Sequence, residues 1–407
     1  MPEPVDTVIV GGGQAGLSIS YHLAQLGREH IIIERGRIAE RWRSERWDSL
    51  AFQFPNWMVR LPGHAYKGEE PDGFMHRDEV VRFIEEYAKQ IAPPIRCGIR
   101  VTALRQKEPG RLLVETDNFH IDASNVVVAT GPYQLPSVPA FSAALPPGMY
   151  QTTANRYSNP GQLPPGCVLV VGSGGSGCQI AQDLLQSGRE VYLSVRRHRR
   201  VPRSYRGKDF GWWQELTGAS DRTVQDLPPD ARAPLLTGVN GGQDVDLRGL
   251  GREGVTLVGS LRDIQGSQLL FASDLEENLA GADETFDQFT QSADEYILTR
   301  KLESTVEPRP DWLAPVRPST SPPIRDLDAR TAGITSVIWA TGYRYDFGWI
   351  NCSVLDVTGK PVHQRGVTAV PGLYFLGLPR LHKVKSAFLW GVGEDAAYLA
   401  QHIATRA

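Results

Sequence analysis

At 407 residues the chain exceeds the size at which one hydrophobic core keeps growing, so two domains are expected. Hydrophobic residues at 41% and charged residues at 22% are those of an ordinary globular protein, and a net charge of -3 excludes a general affinity for nucleic acid or anionic membrane. The four cysteines, Cys97, Cys167, Cys178 and Cys352, form no C-x-x-C pair and exclude a disulfide framework, which fits a reducing cytoplasm.

The first apolar run begins at Val8 without the charged lead and apolar core of a secretory signal. No apolar stretch approaches the ~20 residues that cross a bilayer, so a cytoplasmic protein without membrane insertion is expected. Thr7 to Val10 reads as a strand, followed by Gly11-Gly12-Gly13-Gln14-Ala15-Gly16, a helix from Leu17 to Leu26, and a second strand, Ile31 to Ile33, ending in Glu34. Each part has a physical job. Gly11 permits the tight turn, Gly13 lets the backbone approach a pyrophosphate, and Gly16 allows helix and strand to pack closely. The helix N-terminus offers free N–H groups to phosphates, and Glu34 can accept hydrogen bonds from a ribose.

Between Val101 and Ile121 three short runs predict a β-meander: Val101 to Leu104, Leu112 to Glu115 and Phe119 to Ile121. Asn125 to Val128 then leads into Ala129-Thr130-Gly131, a buried strand whose small residues let backbone pass close to a cofactor.

The glycine pattern recurs after the strand Cys167 to Val171, as Gly172-Ser173-Gly174-Gly175-Ser176-Gly177 and a helix from Cys178 to Gln186. The following strand, Val191 to Val195, ends in Arg196 and Arg197 where the first copy has an acid. A carboxylate there would repel a 2′-phosphate, whereas a guanidinium can bind one, which favours NADPH over NADH. The competing reading makes Arg196, Arg197, Arg199 and Arg200 a solvated basic face. The stretch from Asp226 to Ala314 carries no legible motif.

Ser336 to Trp339 runs into Ala340-Thr341-Gly342-Tyr343, a second copy of the Ala-Thr-Gly strand end. Gly372 to Gly377 is another buried strand into a glycine turn, and a helix from about Ala387 to Ala404 follows, whose first turn could aim its dipole at an electron-rich ring edge. The expected fold is α/β, with two Rossmann-like dinucleotide-binding domains, the NADPH domain inserted into the FAD domain. Residues 1–155 plus 345–407 would bind FAD, and residues 156–344 NADPH.

The order of the two glycine motifs and the two Ala-Thr-Gly ends resembles the single-component (class B) flavin monooxygenases, over nearly the whole chain. These include the eukaryotic flavin-containing monooxygenases, the YUCCA enzymes and related bacterial flavoproteins. Arg41-Trp42 and Arg46-Trp47-Asp48-Ser49-Leu50 are similar to the family's W…WDSL stretch, which lies against the FAD. Pro202 to Asp209 and His382-Lys383…Ser386…Gly391 to Ala396 are similar to the bacterial subgroup. With Arg35 and Val101, these residues complete the expected cofactor contacts. One departure stands out: Thr153 occupies the position of the His in the family's F-x-G-x-x-x-H fingerprint.

The resemblance implies an FAD-dependent, NADPH-driven monooxygenase that inserts one oxygen atom from O2 into a small organic substrate through a peroxyflavin, with heteroatom oxygenation favoured. The residues expected nearest the chemistry are Gln53, four positions after Ser49, the nearby amide Asn56, and His382; each also fits a structural role. Trp57, Trp212, Trp213 and Trp390 fit either a substrate cavity or ordinary core. The histidines show no ligand spacing, so no metal is expected. Two alternatives remain open: an NADPH-dependent reductase or oxidase acting on a small molecule or quinone, and a non-catalytic redox-sensing flavoprotein. A homodimer is the expected assembly by base rate.

Overall fold

The computed structural model describes residues 3–228, 231–302, 306–308 and 323–406, so part of the motif-poor stretch from 226 to 314 and both chain ends lie outside it. Two parallel-strand sheets organise the chain, in keeping with the expected α/β class. The first begins with Glu3–Val10, whose Val8 and Ile9 are fully buried and whose register runs parallel to both His30–Glu34 and His120–Val128. Its order is Ile350–Asn351, Val101–Glu108, Arg111–Thr116, His120–Val128, Glu3–Val10, His30–Glu34 and Ile95–Cys97, with Leu373–Phe375 added beside His120–Val128.

The strand His120–Val128 does two jobs. Its first half pairs antiparallel with Arg111–Thr116, which forms the expected meander, and its last three residues pair parallel with Leu373–Phe375. The runs Phe119 to Ile121 and Asn125 to Val128 are therefore parts of one strand rather than two. Burial explains the continuity, since Ile121, Ala123, Val126 and Val127 are all sealed in the core.

The second sheet is entirely parallel, in the order Tyr150–Thr153, Ile334–Trp339, Cys167–Val171, Val191–Ser194 and Thr256–Val258. Tyr150–Thr153, which the sequence reading kept with residues 1–155, hydrogen-bonds along Ser336 to Trp339 in this second sheet. The chain crosses between sheets twice, and the crossings pair with each other: Leu135–Pro136 runs antiparallel to Tyr343–Arg344. A three-stranded antiparallel sheet, Leu261–Gln265, Gln268–Phe271 and Asp326–Asp328, joins the second unit.

Eight helices matter for the site. They are α1 (Gln14–Gln25), α2 (Glu40–Ser44), α3 (Arg77–Ile91), α4 (Gly175–Gln186), α5 (Phe210–Leu216), α6 (Leu247–Glu253), α7 (Leu275–Arg300) and α8 (Val392–Thr405). The last starts later than its apolar periodicity suggests, because residues 387–391 turn tightly instead. Gly391 lies so close to Lys385 that a Cβ would sit 2.1 Å from the Lys385 carbonyl oxygen. α1 and α8 pack side by side over the first sheet, bringing the chain's final helix to its first glycine turn.

Candidate active site

Both glycine turns leave the carboxyl end of a central parallel strand, the edge at which open α/β sheets hold ligands. In the first, Gly11 has φ of +117°, and a Cβ there would lie 2.6 Å from the Ala129 carbonyl oxygen. A Cβ on Gly16 would lie 2.0 Å from the Gly11 carbonyl oxygen, whereas one on Gly13 would meet nothing within 4 Å. The second turn repeats this geometry. Gly172 has φ of +112° against Ala340, Gly177 sits under the Gly172 carbonyl, and Gly174 is open. The repeated Ala-Thr-Gly segments thus do one job twice: each alanine carbonyl closes on the first glycine of a turn.

The helices behind these turns suit anions. α1 and α4 start on glycines, have no side-chain cap and carry no acid in the first turn. Their leading N–H groups and positive dipole ends await negatively charged partners. Ala15 is buried in the first turn of α1, and Ser176 is in the first turn of α4.

The strand ends differ, as the sequence suggested. Glu34 is nearly buried; its Oε2 accepts from the Gly12 N–H at 2.6 Å and its Oε1 from the Gly36 N–H at 2.7 Å. Each oxygen retains a lone pair for a further donor. On the second strand end, the buried Ser173 hydroxyl grips the Arg196 backbone from both sides, accepting from its N–H at 3.0 Å and donating to its carbonyl at 3.1 Å. The Arg196 and Arg197 side chains are exposed. The basic stretch is not one solvated face, however. Arg200 pairs with Asp283 at 3.0 Å and lies over the Phe286 ring, and His198 is buried.

Further segments converge on the start of α1. Gln14 donates to the Ala387 carbonyl at 2.8 Å and accepts from the Trp42 indole at 3.4 Å. Gly377, at φ of +75°, packs so closely on Ala15 that a Cβ would lie 2.6 Å from the alanine methyl. Arg41 bridges Glu45 at 2.7 Å and the Tyr133 carbonyl; burial pulls its pKa down, yet a guanidinium stays charged. Arg35 is exposed beside Glu45, and Val101 opens its strand opposite Thr116. The Thr130 hydroxyl and Gly131 carbonyl accept from Gln134, while the Thr341 hydroxyl donates to Ser137 and the Gly342 carbonyl accepts from the same residue's N–H.

The three residues expected nearest the chemistry are treated differently by the fold. The loop holding Gln53 is joined to the segment after His382 through aromatic rings. Phe54 meets Trp390 at 4.4 Å and Phe388 at 5.3 Å, and Phe388 stacks on Trp390 at 4.6 Å. Trp390 is thus part of a closed aromatic cluster, and Trp213 is wholly buried among Tyr205, Ala293 and Ile297. Asn56 is buried, and its amide nitrogen donates to the Glu70 carbonyl at 2.9 Å, which braces a neighbouring turn. His382 is half-buried and tied by its main chain, its carbonyl accepting from Val224 and its N–H donating to the Ser386 hydroxyl.

That main-chain tie belongs to a larger strap. Residues 220–224 run beside 382–385, and Lys383 and Lys385 each bridge both Asp221 and Glu394. The first turn of α8 therefore already carries two acids, Glu394 and Asp395, against its positive end. Asp395 is 2% exposed, with Arg365 3.6 Å from one oxygen, and burial pushes its pKa up.

One residue to which sequence reasoning gave no role stands out. Arg203 is 4% exposed; it pairs with Asp209, lies over Phe74, and donates to the Gln53 and Thr237 carbonyls at 2.7 and 3.4 Å. Burial lowers the Arg203 pKa and raises that of Asp209. The only sequence signal was the likeness of Pro202 to Asp209 to a bacterial subgroup. Thr153 ends the strand Tyr150–Thr153, and its hydroxyl donates to the Asn155 side chain at 2.7 Å.

Among the described residues no cluster of histidine, cysteine or carboxylate side chains could hold a metal, and no helix is long and apolar enough to cross a membrane. All four cysteines are free thiols.

Residues 8–208 match the family model described as pyridine nucleotide-disulphide oxidoreductase. The chain is 35% identical to an uncharacterized CzcO-like oxidoreductase of Geobacillus kaustophilus, over 99% of each chain. It is 29% identical to the indole-3-pyruvate monooxygenase YUCCA1 of rice, over 75% of this chain and 78% of that one. Among solved structures, a flavin-containing monooxygenase from Stenotrophomonas maltophilia shares the fold with a TM-score of 0.67 at 19% identity, over 98% of each chain.

Proposed function

The chain belongs to the family of the CzcO-like oxidoreductases and is a flavin-dependent enzyme, and from that premise we propose that it is an FAD-dependent, NADPH-driven monooxygenase transferring one atom of O2 to a heteroatom of a small organic substrate. One observation carries the reading. Two uncapped, acid-free helix N-termini stand behind glycine turns whose first and last glycines no Cβ would fit, one beside a carboxylate and one beside exposed arginines. That pairing fits FAD on the first turn and NADPH on the second. We take residues 1–155 with 345–407 as the FAD unit and 156–344 as the NADPH unit, with the strand Tyr150–Thr153 lent to the second sheet.

Bound FAD supplies the passage of electrons from the nicotinamide to O2 and the transfer of the oxygen atom. The chain's own residues do the rest. Gly11, Gly13 and the α1 amides would receive the pyrophosphate of FAD, and Glu34 would accept from its ribose with the lone pairs that Gly12 and Gly36 leave free. Gly174, Ser176 and the α4 amides would hold the second pyrophosphate, with Arg196 and Arg197 for the 2′-phosphate. Phe54, Phe388 and Trp390 would exclude water beside Gln53, whose side-chain amide would be the donor there.

The test is anaerobic mixing of the FAD-loaded protein with NADPH or NADH, then with oxygenated buffer and candidate amines and thioethers. Faster reduction by NADPH and labelled oxygen from O2 in the product support the reading. Fast reduction with stoichiometric peroxide and no labelled product would replace it with an NADPH oxidase or reductase, a reading favoured by Thr153, whose hydroxyl is spent on Asn155 at the position of the histidine in the monooxygenase fingerprint that the sequence resembles.

A further inference from the structure

One guanidinium stands without an acid where the two units meet. Arg46 donates from Nη1 to the Glu45 carbonyl at 2.6 Å, and among the described residues no carboxylate pairs with it. The acid beside it, Glu45, already meets Arg41 at 2.7 Å and Arg35 at 3.6 Å. Three arginines therefore share a single carboxylate here, and positive charge is in excess.

The surroundings of Arg46 place that charge between the two glycine turns. Its guanidinium carbon lies 5.5 Å from the centre of the Trp42 ring and 5.1 Å from that of Tyr133. Tyr133 follows the first Ala-Thr-Gly end and meets Tyr343, which follows the second, edge to face at 5.2 Å. Tyr343 comes shortly after Ala340, whose carbonyl closes on Gly172. Trp42 donates to Gln14 at the start of α1 and also packs against the core of the second unit. The segment is wedged into that core, since Trp47 and Leu50 are buried in one cluster with Cys178 of α4. Its main chain is pinned as well: the Arg46 carbonyl accepts from Arg77 at 3.0 Å, and the Asp48 N–H donates to the Ser158 carbonyl at 2.8 Å. A guanidinium ordered on two rings, with most of its N–H groups given to no protein acceptor, is preorganised for an anion.

Resting on the assignment of NADPH to the turn from Gly172 to Gly177, we infer that Arg46 of the FAD unit binds that nucleotide's pyrophosphate from across the seam. Of the groups NADPH carries, only its phosphates are anions. Adenine, the riboses and the dihydronicotinamide are neutral, and the oxidised nicotinamide ring is itself a cation. The 2′-phosphate belongs with Arg196 and Arg197 at the end of the next strand, whereas Arg46 sits beside the strand end that closes on the turn. A guanidinium can give a phosphate two parallel N–H bonds, which an ammonium in its place cannot. The pyrophosphate of FAD is the competing anion, but Trp47 and Leu50 carry this segment into the core behind α4 rather than behind α1. The nucleotide would then be gripped by both units, and its affinity would depend on their being docked.

Isothermal titration of the oxidised, FAD-loaded protein with NADP⁺ and with adenosine 2′-monophosphate, which lacks the pyrophosphate, tests the contact. Arg46→Met keeps an apolar stem on the two rings and removes the charge. It should weaken NADP⁺ about tenfold or more and leave the adenosine monophosphate within about twofold. Arg46→Lys should recover part of that loss. If Arg46→Met does not fold, Tyr133→Leu removes one supporting ring instead and should weaken NADP⁺ about threefold. Flavin content and circular dichroism report the folding of each variant. Unchanged NADP⁺ affinity in folded Arg46→Met, an equal loss for both ligands, or loss of FAD with NADP⁺ affinity intact would overturn it. Wild-type protein that does not bind NADP⁺ would instead remove the NADPH assignment itself, and this contact with it.

Discussion

The Arg203 guanidinium donates to the main-chain oxygen of Gln53 at 2.7 Å across 150 residues of chain, beside the close packing of Gly238 on Phe52 and of Gly211 on Met58. Arg203 is held for the task by Asp209, 2.9 Å from its Nε, and by the Phe74 face. Removing the guanidinium leaves Asp209 half-buried without its partner, a loss worth about 3–5 kcal/mol for a buried pair. Arg203→Met should therefore lower stability by several kcal/mol in denaturant titration. Arg203→Lys keeps the charge but cannot span Asp209 and Gln53 together, so it should retain most stability while raising peroxide formed per NADPH consumed.

The glycine turns give a paired prediction. Gly16→Ala places a methyl 2.0 Å from the Gly11 carbonyl oxygen, and Gly177→Ala places one 1.8 Å from the Gly172 carbonyl oxygen. Each must push helix from strand, at about 1–3 kcal/mol or more. Gly16→Ala should purify with much less bound flavin. Gly177→Ala should keep its yellow colour and show a raised KM for NADPH.

Arg196 should decide the nicotinamide cofactor. Its backbone is fixed by Ser173 while its side chain is exposed at the strand end. Charge-assisted hydrogen bonds are worth about 1.5–3 kcal/mol, so Arg196→Glu should raise the KM for NADPH about tenfold or more. Flavin reduction rates with NADH should stay the same or improve. Equal losses with both cofactors would remove Arg196 from the 2′-phosphate site.

Asp395 makes a prediction about pH. Burial raises its pKa above the usual 3.8, so the folded state holds this proton more tightly than the unfolded chain does. Stability from this group is present below pH 3.8 and is lost as pH rises through the folded pKa. Asp395→Asn should therefore change melting temperature more favourably at pH 7 than at pH 3.5, relative to wild type. A difference that ran the other way would mean that Arg365, 3.6 Å away, holds the carboxylate ionised.

Much of the first unit was legible because its signals are local. Gly11, Gly16 and Glu34 lie within 24 residues of chain, and each obeys a steric or hydrogen-bonding rule that neighbours alone enforce. The same holds for Gly172, Gly177 and Arg196. The repeated Ala-Thr-Gly ends were visible as a pattern, although only the structure showed each alanine carbonyl closing on a glycine. The roles of Asn56, Arg203 and Asp395 were not legible, because an amide on a loop, an arginine in a basic stretch and an acid at a helix start read alike whether buried or solvated.

Sequence alone determined the two glycine turns, the acid and the arginines at the strand ends that follow them, and the α/β class, since turn stereochemistry and apolar periodicity act over a few residues. Only the tertiary structure decided that Gln14 meets Ala387, that Arg203 meets Gln53, and that Tyr150–Thr153 joins the second sheet. Those contacts span long stretches of chain and exist only where packing of both cores brings the partners together and removes water from around them.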